Sequence, residues 1–305
     1  MKNNIYILMM LLASLFWAAS YITSGLALNY INSSTLILFR WMIAIVVLAI
    51  IGIANRSTEK IPRKALLPII GMGLFNVVIA NLFMFEAYKT TTAINISFIS
   101  GLNPIMISVW AVIFLKEKYN LYQVIGAILA LIGVIIILFK GDIQTLFSLR
   151  YKIGDLYMFI AVASHGLYAM CSKIASKYVN PINAIMYSGI LGLLLFLPFG
   201  YSEIEIPAFN YKLTLYILVT AILGTAISQY FFVTSIKNIG ASASGIIMNF
   251  IPVFTMLLSL LFLGNKIEYP QIVGWIIITI GIVVFYNKKN KVKGKKLSKE
   301  KINLL

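Results

Sequence analysis

The 305-residue chain is 61% hydrophobic and only 11% charged, roughly half the charge of a soluble domain, so it cannot cover a water-facing surface of its own size. Its 25 basic and 9 acidic residues give a formal net charge of +16. The charges cluster between apolar runs, which reads as membrane topology rather than as nucleic-acid binding. The single cysteine, Cys171, excludes an internal disulfide framework.

Ten apolar runs follow in chain order, at about 5–28, 35–54, 66–88, 92–115, 122–139, 155–175, 183–199, 213–235, 241–263 and 271–286. A helix rising about 1.5 Å per residue crosses a hydrocarbon core of about 30 Å in roughly 20 residues. The runs are continuously apolar, whereas barrel strands alternate. The expected fold is therefore an all-α membrane protein of ten transmembrane helices. The first run is too long for a secretory signal core and lacks a small-x-small cleavage pattern, so it counts as a span.

Charge orients the spans. With the N-terminus inside, the cytoplasmic segments hold Lys2; Arg56, Lys60, Arg63 and Lys64; Lys116 and Lys118; Lys173 and Lys177; Lys237; and eight lysines after Asn287. The outer segments hold only Lys89, Lys140, Arg150, Lys152, Lys212 and Lys266. This bias places both termini in the cytoplasm. Residues 288–305 read as a Lys-rich tail against anionic membrane lipids, with no aromatics interleaved for nucleic acid.

The chain repeats itself. At a constant offset of 148, Pro104 falls on Pro252, Gly126 on Gly274, Gly133 on Gly281, Lys89 on Lys237, Gln123 on Gln271, Asn32 on Asn180 and Gly52 on Gly200. Residues 1–140 and 141–287 are thus expected to be two five-span repeats. Five is odd, so the second enters the membrane from the opposite face. Inverted repeats are common among secondary transporters, where the site lies near mid-membrane between the halves.

Glu86–Leu138 carries Asn103-Pro104 mid-span, Leu115-Lys116-Glu117 at its end, then Gly126 and Gly133. With Phe16-Trp17-Ala18, Phe39-Arg40-Trp41 and Gly154-Asp155-Leu156, this resembles the EamA half-repeat of the drug/metabolite transporter superfamily. The resemblance spans about 5–286 and implies a metabolite exporter or exchanger with two EamA repeats. Two positions depart from it: Asn265 stands at the counterpart of Glu117, and His165 at that of Trp17.

Polar groups inside a bilayer are costly and usually face the bundle interior. Trp17 and His165 lie near the midplane. Ser97, Ser100 and Asn103 are spaced by three, which puts them on one helical face. Asn81 and Gln229 coincide under the offset, and Asn249 lies beside the second mid-span proline. With Tyr21 and Tyr168, these are the expected substrate-lining residues. His165, the only histidine, and Glu86 are the candidates for carrying a proton. Pro104 and Pro252 are expected to kink their spans. Arg40 is expected to be structural, with Glu86 at similar depth as a partner. Gly126 and Gly274 are expected at close helix packing, a homodimer seam being one possibility for that face.

There is no phosphate-binding Gly-Lys loop, so no ATP-driven pumping by this chain alone, and no zinc-protease motif or paired Cys/His cluster, so no metal or cofactor is expected. Gly154-Asp155 is similar to part of an intramembrane aspartyl protease motif, but Asp155 sits at the membrane edge and no nucleophile–base pair accompanies it. An enzyme is therefore not expected, and a channel would want a more continuous polar stripe. The reading is a secondary transporter of a small polar metabolite, such as an amino acid or related compound, exporting across a bacterial plasma membrane. A flippase for a lipid-linked head group and a multidrug or amine exporter remain the alternatives.

Overall fold

A computed structural model describes residues 2–56, 60–91, 96, 99–142, 144, 152–208, 210–264 and 266–287. Among them there is no strand. Nine helices are long and apolar enough to cross a membrane, so the protein is a multi-pass integral membrane protein. The fourth expected span is the one that falls short: its described helix covers only Asn103–Leu115, and most of its earlier half, including Ser97, lies outside the described residues. The 288–305 tail and Asn265 lie outside them as well.

The helices are α1 (Lys2–Ala27), α2 (Ser33–Ala54), α3 (Arg63–Met72), α4 (Ala80–Thr90), α5 (Asn103–Leu115), α6 (Leu121–Phe139), α7 (Ile153–Ala175), α8 (Pro181–Gly200), α9 (Tyr211–Leu218), α10 (Ser228–Ile239), α11 (Ala241–Ile247), α12 (Phe250–Leu263) and α13 (Tyr269–Asn287). A π-helical stretch, Gly73–Ile79, joins α3 to α4, and another, Val219–Ile227, joins α9 to α10. In each, a backbone amide reaches back five residues: Ala80 N–H to the Phe75 carbonyl, and Ser228 N–H to that of Leu223.

Local chemistry sets the ends. Asn32 caps α2 by accepting from Thr35 N–H at 2.9 Å, and Asn180, its partner in the repeat, caps α8 by accepting from Asn183 N–H at 2.9 Å. Asn120 and Gln123 form a reciprocal capping box on α6. Helices α5 and α12 both end on a left-handed residue, Lys116 (φ 54°) and Gly264 (φ 69°), which are also 148 apart.

The packing is reciprocal. Helix α1 lies against the α9–α10 span and α12, while α7 lies against the α3–α4 span and α5. Helices α2 and α8 pack on one another between them. The closest pair is α6 with α13. A Cβ at Gly133 would come within 2.6 Å of the Gly274 carbonyl oxygen, and one at Gly126 within 2.5 Å of that of Gly281. The seam read from these glycines is therefore made within the chain, not with a second copy.

Both prolines stand at interruptions of their spans. Pro104 stands in the first turn of α5, after a turn at Gly101-Leu102. Pro252 is the third residue of α12, after a turn at Met248-Asn249. Leu102 and Asn249 keep right-handed helical backbone, and Ala241–Phe262 still runs as one apolar span; a proline in the first turn after such an interruption leaves few helix bonds unmade.

Gly133→Leu should lower the detergent melting temperature sharply, because overpacking costs about 1–3 kcal/mol even where side chains can move, and here backbone stands in the way. Gly25→Ala, at a position with nothing within 4 Å, should leave the melting temperature unchanged.

Candidate functional site

The two breaks face one cavity of about 660 Å³. Its floor is formed at the start of α5, by Ser100, Gly101, Asn103 and Pro104, and at the start of α12, by Met248, Asn249, Ile251 and Pro252. Val134, Ile137 and Leu138 of α6 wall one side, and Tyr21 of α1 borders it. Thr255 and Ser259 climb the α12 side to Lys140, Lys266 and Glu268 between helices and Gln271 in the first turn of α13. Lys140 and Glu268 pair there at 2.6 Å, both about half exposed. The Asn103 Oδ1 is buried without a hydrogen-bond partner, while the Asn249 amide donates to the Ile246 carbonyl at 3.0 Å. The dimensions and mixed lining suit a small molecule with a few polar groups.

On the other side of the breaks the fourth and ninth spans are held against each other. Helix α11 packs on α5, and a Cβ at Gly245 would meet the Ile107 side chain at 3.1 Å. Glu117, just past α5, accepts from Ala241 N–H at 3.1 Å, from Ser242 N–H at 3.3 Å and from the Ser242 hydroxyl. The carboxylate thus caps the start of α11, whose chain enters through Gly240 at φ 98°.

The expected lining residues divide. Tyr21, Ser100, Asn103 and Asn249 border the cavity. A turn interrupts the helix between Ser100 and Asn103, so they meet the cavity without sharing one helical face. Trp17, His165, Tyr168 and Gln229 form a second group outside that lining. Trp17 meets His165 edge-on at a centroid distance of 6.3 Å, and Phe232 stacks on His165 at 5.7 Å and meets Trp17 at 5.3 Å. The Tyr168 hydroxyl donates to Gln229 Oε1 at 2.7 Å, and the His165 Nδ1 is buried without a partner. Trp17 and His165, counterparts in the repeat, thus face each other. Phe232 was not singled out in the sequence, being one of 19 phenylalanines. Nor were Thr255, Ser259 or Gln271, whose place on the cavity wall depends on which way α12 and α13 face.

The Arg40–Glu86 pair is not formed. Glu86 pairs with Lys89 at 2.8 Å on the exposed end of α4, one helical turn away. Its carboxylate, as hydrogen-bond acceptor, holds the Lys89 pKa above the usual value. Arg40 instead donates from Nη2 to Asn81 Oδ1 at 3.0 Å. The Asn81 Nδ2 donates to the carbonyls of Asn76 and Val77, both at 2.8 Å, in the first π stretch. Arg40 thus meets this span at Asn81, five residues and about 7.5 Å along the helix from Glu86. Among the described residues, no group of three or more His, Cys, Asp or Glu could hold a metal.

A helical, multi-pass protein with broken helices around a polar cavity has the build of a membrane transporter. The EamA-like transporter family model matches residues 4–139 and again 152–287, and the chain belongs to that family. It is 28% identical to the uncharacterized transporter YyaM of Bacillus subtilis (strain 168), over 92% of each chain. It is 24% identical to an uncharacterized transporter of Archaeoglobus fulgidus, over 93% of this chain and 98% of that one. A solved structure at 16% identity shares the fold, with a TM-score of 0.75 over 95% of this chain and 99% of the other.

Tyr168→Phe should cost about 1 kcal/mol, since it removes a buried membrane hydrogen bond and strands the Gln229 acceptor. Glu86→Gln, which breaks only an exposed pair, should cost about 0.5 kcal/mol or less. Thermal unfolding in one detergent, in parallel, would reverse this picture if Glu86→Gln proved the more damaging.

Proposed function

We propose that this transporter is a secondary carrier that exports a small polar metabolite, such as an amino acid or related compound, by alternating access. The carrying observation is the cavity: it reaches from two mid-span breaks to one face, while α5, α11 and Glu117 close the path to the other. Such an arrangement is one of the two end states of a carrier with a fixed central site.

Two inverted repeats, 1–140 and 141–287, in ten spans account for the reciprocal packing. Exchanging the halves exchanges α1 with α7, α3–α4 with α9–α10, and α5 with α12. The paired π stretches, asparagine caps and left-handed helix ends support the same relation. Both termini lie in the cytoplasm of a bacterial plasma membrane, with the Lys-rich tail on its anionic lipids. The cavity then opens outward, because Lys140 and Lys266 follow spans that end outside. His165 is the better candidate for proton coupling, since Glu86 is already paired with Lys89 at the surface. The closed side opens when Glu117 leaves the start of α11.

Purified protein in liposomes should exchange a labelled solute from a panel of amino acids, amines and nucleobases down its gradient without ATP. Asn103→Ala with Asn249→Ala should cut that flux at least about tenfold, the loss of one or two substrate hydrogen bonds. Flux of no panel member would end the carrier reading, and undiminished flux in the double variant would displace the site. With spin labels at Lys118 and Asn238 on a Cys171→Ser background, Glu117→Gln should add a longer-distance population as the closed side loosens. An unchanged distance distribution would remove Glu117 from gating.

A further inference from the structure

The end of α10 and the start of α11 meet at Gly240, where a φ of 98° turns the chain from one helix into the next. Two side chains of opposite charge hold the two sides of that corner. The Glu117 carboxylate accepts from the first amides of α11. The Lys173 ammonium, in the last turn of α7, donates to the Ile236 carbonyl at 2.7 Å and to the Lys237 carbonyl at 2.8 Å, both near the end of α10. Each charge thus meets the helix end of opposite polarity, an anion at amides and a cation at carbonyls. Bonds of this charge-assisted kind are the strong ones.

The repeat separates the Lys173 contact from the frame around it. In the second half, α10 packs along α1, and the Ser235 hydroxyl donates to the Tyr6 carbonyl at 3.0 Å. In the first half, α4 packs along α7, and the Thr91 hydroxyl donates to Asp155 Oδ1. These two packings correspond under exchange of the halves, so they belong to the frame. The Lys173 contact has no such counterpart. The residue 148 before it is Gly25, in the last turn of α1, and a Cβ there would meet nothing within 4 Å. Among the described residues, α10 packs on α7 as well as on α1, whereas α4 packs on α7 with no comparable packing on α1. A contact made in one half alone marks an end state rather than the frame.

We propose that Lys173 is a gating residue of the transport cycle: its ammonium latches the end of α10 to α7 while the cavity stands open, and it lets go before the opposite side opens. The inference rests on the carrier reading, and it adds to Glu117 a second latch at the same corner. Release is chemically easy there. The Lys237 contact is exposed and the Ile236 contact only part-buried, so water takes over both carbonyls and no polar group is stranded. Gly25 supplies no donor of this kind, so the reciprocal closure lacks the latch.

Spin-label distance measurements in nanodiscs, on a Cys171→Ser background, test this on both sides at once. One label pair, Lys177 with Asn238, reports the α7–α10 side; the other, Asn29 with Lys89, reports the α1–α4 side, and all four positions are exposed. Lys173→Met keeps the apolar stem and removes the donors. It should lengthen the first distance and shorten the second together, changing the ratio of the two states about tenfold, the weight of one hydrogen bond to a charged group. Lys173→Arg, which keeps the charge and the donors, should give the wild-type distributions. Gly25→Lys supplies the missing latch on the other side and should shift both distances in the same directions as Lys173→Met. A purely structural role would loosen the first distance alone. That outcome overturns the proposal, as does no change in either distance or an arginine variant that behaves like the methionine one. If Lys173→Met does not fold, Gly25→Lys decides alone by the same two distances. Coupled shifts in a protein that moves no solute in liposomes would uphold the latch while removing the carrier reading, and flux without coupled shifts would do the reverse.

Discussion

Hydrocarbon offers no partner to a backbone N–H or C=O, so each departure from a continuous helix must be compensated within the protein. That constraint organises this molecule. Among the described residues it departs from the α-helix at four places within its spans: two π stretches and two turns. At the first π stretch the Asn81 side chain supplies two donors to freed carbonyls. At the second, the Thr225 hydroxyl donates to the Thr220 carbonyl at 3.0 Å and the Ser228 hydroxyl to that of Leu223. The two turns at 101–102 and 248–249 open instead onto the cavity, where water or substrate can reach them. Polar residues thus gather where the backbone needs them, and a polar cavity follows from the same need.

The frame around the cavity is held by two kinds of contact. Helices α6 and α13 approach so closely that glycine hydrogens stand where any Cβ would strike a carbonyl oxygen. Backbone contact of that kind admits little sliding, so the pair behaves as one body beside the cavity. The α5–α11 contact is looser in kind. It rests on Ile107 against Gly245 and on one carboxylate at a helix start, which a shift of an ångström or two would undo. The aromatic group of Trp17, His165 and Phe232 joins the first span of each half to the other.

Much of this is legible in the sequence, because the bilayer imposes length and apolarity on every span and the 148-residue offset carries residues that cannot easily be exchanged. The asparagine pair at 32 and 180 and the proline pair at 104 and 252 announce the helix starts they create. Other features leave no such trace. Gly73–Ile79 and Val219–Ile227 contain no proline, and a π stretch costs only a shift of hydrogen-bond partner, so nothing marks them. Counting residues from the span ends put Arg40 and Glu86 at one level, yet neither the exact depth nor the rotation of a helix is written in the sequence, and Arg40 meets Asn81, about 7.5 Å along the helix from Glu86. The division of Trp17 and His165 from Tyr21 and Asn249 was hidden for the same reason.

On the alternating-access proposal, the departure of the second repeat from the first bears on which end state is the more stable. At the repeat offset the counterpart of Glu117 is Asn265, which lies outside the described residues. An ionised acceptor makes hydrogen bonds about twice as strong as a neutral amide does, and a carboxylate also gains from the positive end of a helix, by about 0.3–1 kcal/mol. Equal halves would leave the two closures balanced. On that proposal, a charge on one side alone would favour the state in which Glu117 is engaged, the one in which its contacts with Ala241 and Ser242 are made. The tilt of one or two kcal/mol is small enough for a bound substrate to reverse, as a carrier requires, because a ligand shifts such an equilibrium by no more than its differential affinity for the two states.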